Sequence, residues 1–314
     1  MSKFVLIGGV PRSGTTLALR IIGSHSKIAI PVGEFQFFHG YAKGQSVREI
    51  LTTNRWVQRW WNVDFSDLYS REHRDVFITS LVRYTESVGK EIPGEKSPLN
   101  EFYYDIIQEW LKDFELKFIH LVRNPFDVMA SYKHATLGGK RSIRPATPEG
   151  CRNWYRSVAM GLARARFNPE GYYLLKYEDL ATDPISKTRE VCAFLGVDFE
   201  KERMLSTSDF REHRDNTSFQ QATGKRHNEY SVIRLAESRK HQLTDSEIHV
   251  VSSICGELAW ALGYDDEDCR PSLPERPSKS LGSNVKRKLG RVVRKYRPSR
   301  LTLQRDNSPQ RSPT

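Results

Sequence analysis

The sequence predicts an α/β fold with a central, mostly parallel β-sheet covered by helices. Three short apolar segments, 3–8, 116–122 and 172–175, have the continuous hydrophobicity of strands buried on both faces. Each is followed by a helical pattern, and strands that alternate with helices form right-handed βαβ units. A chain of 314 residues is long enough to build one such sheet as a single core.

The predicted elements can be placed in chain order. The first unit is strand 3–8, a tight loop rich in Gly, Pro and Ser, and a helix over 15–25. Thr244 and Glu247 have the spacing of a capping box, which predicts the start of the last helix. The remaining predicted helices cover 74–88, 100–111, 127–134, 148–167, 184–195 and 246–262. The predicted long loops are 136–147 and 206–228.

The net charge of +11 lies almost wholly at the C-terminus. Residues 271–314 contain 12 Lys or Arg and two acidic residues, so their net charge is +10 and the other 270 residues carry +1. We therefore expect a folded domain over 1–270 and a basic tail over 271–314 that is disordered or partly helical. Apolar residues at helical spacing within 285–300 indicate binding to an anionic membrane surface. A solvated tail is the alternative, and a nucleic-acid partner is disfavoured.

Cysteine usage and hydropathy give an expectation for localisation. The four cysteines form no C-x-x-C pair, so neither a zinc ribbon nor a disulfide scaffold is indicated, and a reducing compartment fits. The longest apolar run near the N-terminus, Phe4 to Val10, is far shorter than the roughly 20 residues of a membrane span. We expect a cytoplasmic protein that the tail can hold at a membrane.

Residues 9–16, Gly-Val-Pro-Arg-Ser-Gly-Thr-Thr, lie between the first strand and the first helix. Backbone N–H groups and the positive end of the helix dipole form an anion site at such a position. The spacing of Gly9 and Gly14 fits a P-loop, but Thr15 stands where nucleoside triphosphatases have lysine. Arg12 supplies a cation instead. The sequence thus predicts a P-loop-containing three-layer α/β/α fold, with a connector that binds nothing as the alternative.

Two further strand ends carry candidate site residues. Arg123 follows the second apolar strand, and Ser131 lies two turns into the next helix. Both can face the crevice outside the carboxyl ends of the strands, where ligands bind in open α/β folds. Tyr177 follows the third strand in the stretch Tyr-Glu-Asp-Leu. Alone, Arg123 is explained by a salt bridge and Tyr177 by packing, so the prediction depends on their combination.

These three segments, in this order, resemble the PAPS-dependent sulfotransferase superfamily over residues 4–264; PAPS is 3′-phosphoadenosine 5′-phosphosulfate. The resemblance implies that the first loop binds the 5′-phosphosulfate through Arg12, Ser13, Gly14, Thr15 and Thr16. It implies that Arg123 and Ser131 bind the 3′-phosphate and that Tyr177 lies near the nucleotide. PAPS would be released as the bisphosphate PAP, and no metal is expected.

Other motifs resemble the branch that contains tyrosylprotein sulfotransferases and bacterial carbohydrate or lipid sulfotransferases. They are the Ile28–Phe38 stretch with Glu34, the Gly94–Pro98 turn with Lys96, and Leu-Gly-Tyr at 262–264. The sequence departs from the pattern at Ser26, where Pro is usual, and over 230–243, where the match is loose.

The resemblance also implies a mechanism, in which a general base serves the acceptor and cations stabilise the leaving oxygen. Glu34 is the expected base, with Lys96 and Arg12 at the leaving oxygen. The alternative bases are His25, His39 and His134. The predicted reaction is in-line transfer of a sulfuryl group from PAPS to a hydroxyl of a carbohydrate, lipid or small alcohol.

The acceptor and the function class each leave alternatives open. A glycan or glycolipid is the preferred acceptor, and protein tyrosine remains open. The segments expected to face it are 56–61, 136–147 and 206–228. The alternative functions are a P-loop kinase-like phosphotransferase and a basic membrane- or nucleic-acid-binding protein with a degenerate P-loop.

Overall fold

The structure is a computed structural model that describes residues 2–133, 136–137, 140–141, 148–205, 238–264 and 267–269. The predicted tail and the predicted loop 206–228 lie outside these residues, as does most of the predicted loop 136–147. His134 also lies outside them. The domain boundary predicted at residue 270 stays a prediction.

The central sheet is parallel throughout. The described strands are β1 (Lys3–Gly8), β2 (Ile28–Ala29), β3 (Ile92–Lys96), β4 (Glu115–Val122), β5 (Thr136–Leu137), β6 (Lys140–Arg141) and β7 (Tyr172–Lys176). Five of them form the sheet in the order β2, β3, β1, β4, β7, and β5 pairs with β6 in a separate antiparallel ribbon. The carboxyl ends of β3, β1 and β4 therefore lie side by side at one edge, which confirms the predicted sheet class.

The helices connect these strands. The described α-helices, in chain order, are α1 (Thr15–Gly23), α2 (Phe37–Ala42), α3 (Val47–Thr53), α4 (Arg55–Trp60), α5 (His73–Ser87), α6 (Tyr104–Trp110), α7 (Pro125–Lys133), α8 (Pro148–Phe167), α9 (Tyr177–Thr182), α10 (Pro184–Leu195), α11 (Lys201–Leu205) and α12 (Asp245–Ala261). α12 begins with the capping box predicted from Thr244 and Glu247. None of the helices in these ranges is long and apolar enough to cross a membrane.

Helices cover both faces of the sheet. Successive side chains of β1 point to opposite faces, so they pack on different sets of helices. On one face, Phe4 and Leu6 belong to a buried core with residues of α2 to α6. On the other face, Val5 and Ile7 belong to a core with residues of α1, α10 and α11. A third buried cluster joins α7, α8 and α12. The three-layer α/β/α arrangement predicted from the sequence is thus confirmed.

β3 is the main departure from the predicted elements. The turn predicted over 94–98 is wrong for residues 94–96, which belong to β3. Pro, Gly and charged residues are depleted in strands, so the sequence of β3 gives no strand pattern. Gly94 fits because a Cβ there would lie 2.5 Å from the carbonyl oxygen of Val5 in the neighbouring strand. β2, α2 to α4, α9 and α11 were likewise not predicted. The loop predicted over 136–147 is wrong at residues 136–137 and 140–141, which pair as β5 and β6.

Candidate active site

The loop after β1 has an unusual backbone and turns directly into α1. Gly9 and Gly14 have φ values of +129° and +102°, in the region that favours glycine, and Arg12 has φ of +75°. A Cβ on Gly14 would lie 2.5 Å from the ring of Tyr177. The loop therefore contacts Tyr177 and presents its backbone at the start of α1. Backbone N–H groups at the start of a helix are suited to bind an anion.

The hydroxyl side chains of this loop differ in their surroundings. Ser13 is fully buried, and its hydroxyl donates to the carbonyl oxygen of Val10 at 2.7 Å, so it shapes the loop from inside. Thr15 is buried and Thr16 is partly exposed. The nucleotide contacts expected of Ser13, Gly14, Thr15 and Thr16 stay predictions.

Two arginines and Ser131 meet beside the loop. Arg12 Nε donates to Ser131 Oγ at 2.9 Å, and Arg123 Nη1 donates to the carbonyl oxygen of Arg12 at 3.4 Å. The guanidinium of Arg123 lies 4.2 Å from the centre of the Tyr177 ring, a cation–π contact. The structure thus brings together four residues that the sequence places at three separate strand ends.

Arg123 has a hydrogen-bond donor that the described structure does not use. The residue is 8% exposed, and its Nε is buried without a hydrogen-bond partner among the described residues. Asp127 Oδ2 lies 3.9 Å from Nη2 and balances part of the charge. A buried, unpaired donor costs about 1–3 kcal/mol. This atom therefore indicates a ligand with acceptor oxygens, and phosphate suits a guanidinium well.

Arg239 is a further cation at this site that the sequence analysis missed. Its backbone N–H donates to Asp127 Oδ1 at 2.7 Å, and the Ser238 hydroxyl donates to the same oxygen at 3.1 Å. Burial, then the charge of Arg123, then that of Arg239 lower the pKa of Arg12. Arg239 lies in the segment where the family match is loose, so neither motif nor spacing marked it.

Glu34 and Lys96 form an ion pair at the same edge of the sheet. Lys96 ends β3 and is buried, and its Nζ donates to Glu34 Oε1 at 3.0 Å. Burial raises the pKa of Glu34, but the charge of Lys96, hydrogen bonds from Gln36 and Lys96, and the charge of Arg55 together lower it below its ordinary value. The carboxylate is thus ionised at neutral pH, which is the form that can accept a proton.

The segment that carries Glu34 is fixed by several hydrogen bonds. The side-chain amide of Gln36 donates to Glu34 Oε2 at 2.9 Å, and its backbone N–H donates to Ser97 Oγ at 2.8 Å. Ser97 in turn donates to Glu95 Oε2 at 2.9 Å. Asn54 donates from Nδ2 to the carbonyl oxygen of Glu34 at 3.0 Å. Side chains from β3 and from the start of α4 therefore position the carboxylate.

The alternative bases are less well placed. His25 is buried, its Nδ1 accepts from the backbone N–H of Lys27 at 3.0 Å, and its Nε2 lies 2.9 Å from the carbonyl oxygen of Asp198. Both ring nitrogens are therefore engaged in structural contacts. Burial and the charge of Lys43 lower the pKa of His39, although Glu34 opposes this. In the described ranges, no group of three His, Cys, Asp or Glu side chains could hold a metal ion.

Known proteins resemble this chain in sequence and fold. Carbohydrate sulfotransferase 1 of Homo sapiens is 28% identical over 184 residues, which cover 53% of this chain and 43% of that protein. Omega-hydroxy-beta-dihydromenaquinone-9 sulfotransferase Stf3 of Mycobacterium tuberculosis is 25% identical over 222 residues, which cover 67% of this chain and 51% of that protein. The matches span about half the length of these relatives.

A solved structure and a family model complete the comparison. The sulfotransferase domain of the Synechococcus PCC 7002 olefin synthase superposes with a TM-score of 0.53 at 22% identity, covering 80% of this chain and 94% of that one, and shares the fold. The model of the sulfotransferase family matches residues 5–201. Because this match covers more than half of the chain, the chain belongs to the sulfotransferase family.

Proposed function

We propose that this protein transfers a sulfuryl group from PAPS to a hydroxyl group by in-line displacement. The observation that carries the proposal is that two groups of charged side chains lie at the same edge of the sheet. Arg12 and Arg123 lie at the ends of β1 and β4, and the Lys96–Glu34 pair lies at the end of β3. Because β1 lies between β3 and β4, the arginines proposed to hold the nucleotide and the carboxylate proposed as the base flank the same loop.

The residues present fit PAPS. The nucleotide carries negative charge at its 5′-phosphosulfate and at its 3′-phosphate. The loop backbone at Gly14 and the start of α1 suit the first group. The unpaired Nε of Arg123, with Ser131 and Arg12 beside it, suits the second. The Tyr177 ring already packs on the Arg123 guanidinium, so it helps to hold that side chain in place.

PAPS would supply the sulfuryl group, and the protein would supply the base and the cations. Glu34, ionised beside Lys96, would take the proton of the acceptor hydroxyl. An ammonium group has three donors, so Lys96 can keep its bond to Glu34 and also stabilise charge on the leaving oxygen. Arg12 lies on the loop between these groups and would stabilise the same charge.

We infer that the acceptor is a carbohydrate or lipid hydroxyl. The names of the two relatives support this class, since one is a carbohydrate sulfotransferase and the other an omega-hydroxy-beta-dihydromenaquinone-9 sulfotransferase. Of the segments predicted to face the acceptor, the structure describes 56–61 in full, and most of it belongs to α4. Trp56 of this helix packs directly on Gly33, the residue before Glu34. A Cβ on Gly33 would lie 2.6 Å from the Trp56 ring.

Incubation with radiolabelled PAPS tests the function. The protein is mixed with [³⁵S]PAPS and a cell extract, which is then separated into lipid, glycan and protein fractions. We expect label in the lipid or glycan fraction, and an initial rate of labelling lower by about 10²-fold or more when Glu34→Gln replaces the wild-type protein. Label in the protein fraction would reassign the acceptor. Absence of transfer to any fraction, with PAPS intact, would contradict the proposed function.

We also propose that the protein is cytoplasmic and peripheral at a membrane, held there by the segment 285–300. The support is the tail charge of +10 and the apolar residues at helical spacing within it. Sedimentation with phosphatidylserine vesicles would test this. Binding that is lost at high salt, and in a variant with Arg291→Gln and Arg294→Gln, supports it. Binding to duplex DNA but not to vesicles would favour the nucleic-acid alternative.

A further inference from the structure

Glu101 is a buried carboxylate that contacts the start of the nucleotide loop. It lies in the 3₁₀ turn Asn100–Tyr103 and has no solvent exposure. Its Oε2 accepts the backbone N–H of Gly9 at 2.7 Å, and its Oε1 accepts the hydroxyl of Ser157 at 2.6 Å. Burying a carboxylate is costly unless it is fully hydrogen-bonded, so its presence beside the loop requires an explanation.

The segment that carries Glu101 holds both polar groups of Gly9. The backbone N–H of Leu99 donates to the carbonyl oxygen of Gly9 at 3.0 Å, while Glu101 accepts the Gly9 N–H. A Cβ on Gly9 would lie 2.5 Å from the Leu121 carbonyl oxygen, and one on Gly8 would lie 3.0 Å from Glu101 Oε2. The first peptide of the loop is therefore packed tightly on β4 and on the Glu101 carboxylate.

A chain of hydrogen bonds holds the carboxylate from the other side. His120 Nε2 lies 2.9 Å from Ser157 Oγ, and His120 Nδ1 lies 2.8 Å from the hydroxyl of Tyr172. Burial, then the charge of Arg164, lowers the pKa of His120 to about 3, so the ring is neutral. Since Ser157 donates to Glu101, His120 donates from Nε2 to Ser157 and accepts from Tyr172 at Nδ1. Every polar group of this buried chain is satisfied.

We propose that Glu101 is a positioning residue for the nucleotide, which sets the orientation of the loop by accepting the Gly9 N–H. This inference rests on the proposed function, since it assumes that the loop binds PAPS. Glu101 acts through Gly9 and not through its charge, because a neutral acceptor at the same place would hold the N–H as well. The same segment follows directly on Lys96 and Ser97, so it also sets the loop relative to the Glu34–Lys96 pair.

Two substitutions separate position from charge. Glu101→Asp keeps the charge but withdraws the carboxylate from Gly9 by one methylene. Glu101→Gln loses the charge but keeps an oxygen for Gly9, and its amide can donate to Ser157 if the hydrogen bonds of that chain reverse. We expect Glu101→Asp to weaken PAP binding by about tenfold, as for the loss of one hydrogen bond, and Glu101→Gln to weaken it by less than threefold.

The measurement is calorimetric titration of the full-length variants with PAP, together with urea unfolding and the KM for PAPS against kcat. Tyr104→Phe is the matched control, since it removes a hydroxyl that accepts from Asn168 at 3.2 Å in the same core. It should lose some stability and keep the wild-type affinity for PAP. In Glu101→Asp, the KM for PAPS should rise more than kcat falls.

Three outcomes would overturn the inference while leaving the proposed function intact. The first is wild-type affinity for PAP in both Glu101 variants. The second is a larger loss of PAP affinity in Glu101→Gln than in Glu101→Asp. The third is a loss of PAP affinity in Tyr104→Phe that is as large, for the same loss of stability, as in the Glu101 variants. If the wild-type protein itself does not bind PAP, the proposed function fails first. Should Glu101→Asp not fold, Glu101→Met replaces it, because Met is similar in size and offers Gly9 no oxygen. A tenfold loss of PAP affinity in Glu101→Met with less than threefold in Glu101→Gln supports positioning, and wild-type affinity in both contradicts it.

Discussion

The nucleotide side and the acceptor side of the candidate site are built differently. On the nucleotide side, Arg12, Arg123 and Tyr177 each directly follow a strand or lie in the loop after it. On the acceptor side, Glu34 lies in an irregular segment that Lys96, Ser97 and Asn54 hold from distant parts of the chain. Strand ends therefore fix the proposed nucleotide side, and long-range side-chain contacts fix the proposed base. This difference predicts that substitutions on the two sides should separate binding from turnover.

Substitution of Glu34 should change turnover strongly and leave PAP binding almost unchanged. Glu34→Gln should lower kcat by about 10²- to 10⁴-fold, the usual contribution of a general base. PAP affinity should stay within about twofold, because Glu34 lies on the acceptor side. Turnover with saturating PAPS and calorimetric titration with PAP would measure the two quantities. Near-normal turnover would assign the base to another residue.

At Arg123 we expect the reverse, a loss of PAP affinity with little change on the acceptor side. Arg123→Ala removes the unpaired donor and the cation–π contact with Tyr177, and should weaken PAP binding by about 10- to 100-fold, as for one or more charged hydrogen bonds. The KM for the acceptor should change little. Arg83→Ala is a matched control, since Arg83 forms a bidentate pair with Asp67 in an exposed position. Equal losses for PAP and acceptor would contradict the 3′-phosphate assignment.

A glycine substitution tests the loop backbone. Gly14→Ala places a Cβ at φ of +102° and 2.5 Å from the Tyr177 ring, so it should strain the loop and weaken PAP binding by about tenfold. Gly44→Ala is the control, because Gly44 also has positive φ, +74°, but its Cβ would meet nothing within 4 Å. Both variants should lose stability, and Gly14→Ala alone should lose affinity. Equal affinities would exclude the loop backbone as the binding element.

The smallest expected effect is a shift of the pH profile. Glu34 must be ionised to act as a base, and its pKa is lowered, so kcat/KM should fall only below the ordinary range of a glutamate. The charge of Arg55 contributes to that lowering, so Arg55→Gln should move the acidic limb to higher pH. Arg48→Gln, on an exposed residue of α3, should leave the limb in place. If the acidic limb of kcat/KM stays in place in Arg55→Gln, the charge of Arg55 does not act on the group that serves as the base.

The sequence predicts the strand ends that carry the proposed nucleotide side, and the reason is physical. Apolar strands, the glycines of the loop and an arginine at a strand end are local signals, and a parallel sheet brings such ends together without further information. Strands β1, β4 and β7 and helices α8 and α10 were predicted within one or two residues. Arg12, Arg123, Ser131 and Tyr177 therefore meet as expected.

The rest depends on contacts that no local pattern encodes. β3 contains Pro93 and Gly94 and is a strand because it fits between β1 and β2. Arg239 approaches the site because Asp127, 112 residues earlier in the chain, binds its backbone. Glu101 appears in the sequence as an ordinary helix residue, and its contact with Gly9 is visible only in three dimensions.

Titration with two nucleotides distinguishes a PAPS site from a nucleoside triphosphate site. The wild-type protein is titrated with PAP in the presence of EDTA, and separately with ATP and Mg²⁺, in the same calorimeter. We expect saturable binding of PAP without metal, and much weaker binding of ATP with Mg²⁺, since Thr15 replaces the lysine that would reach the β/γ-phosphates. Tight, Mg²⁺-dependent binding of ATP with no binding of PAP would contradict a PAPS site and favour a phosphotransferase.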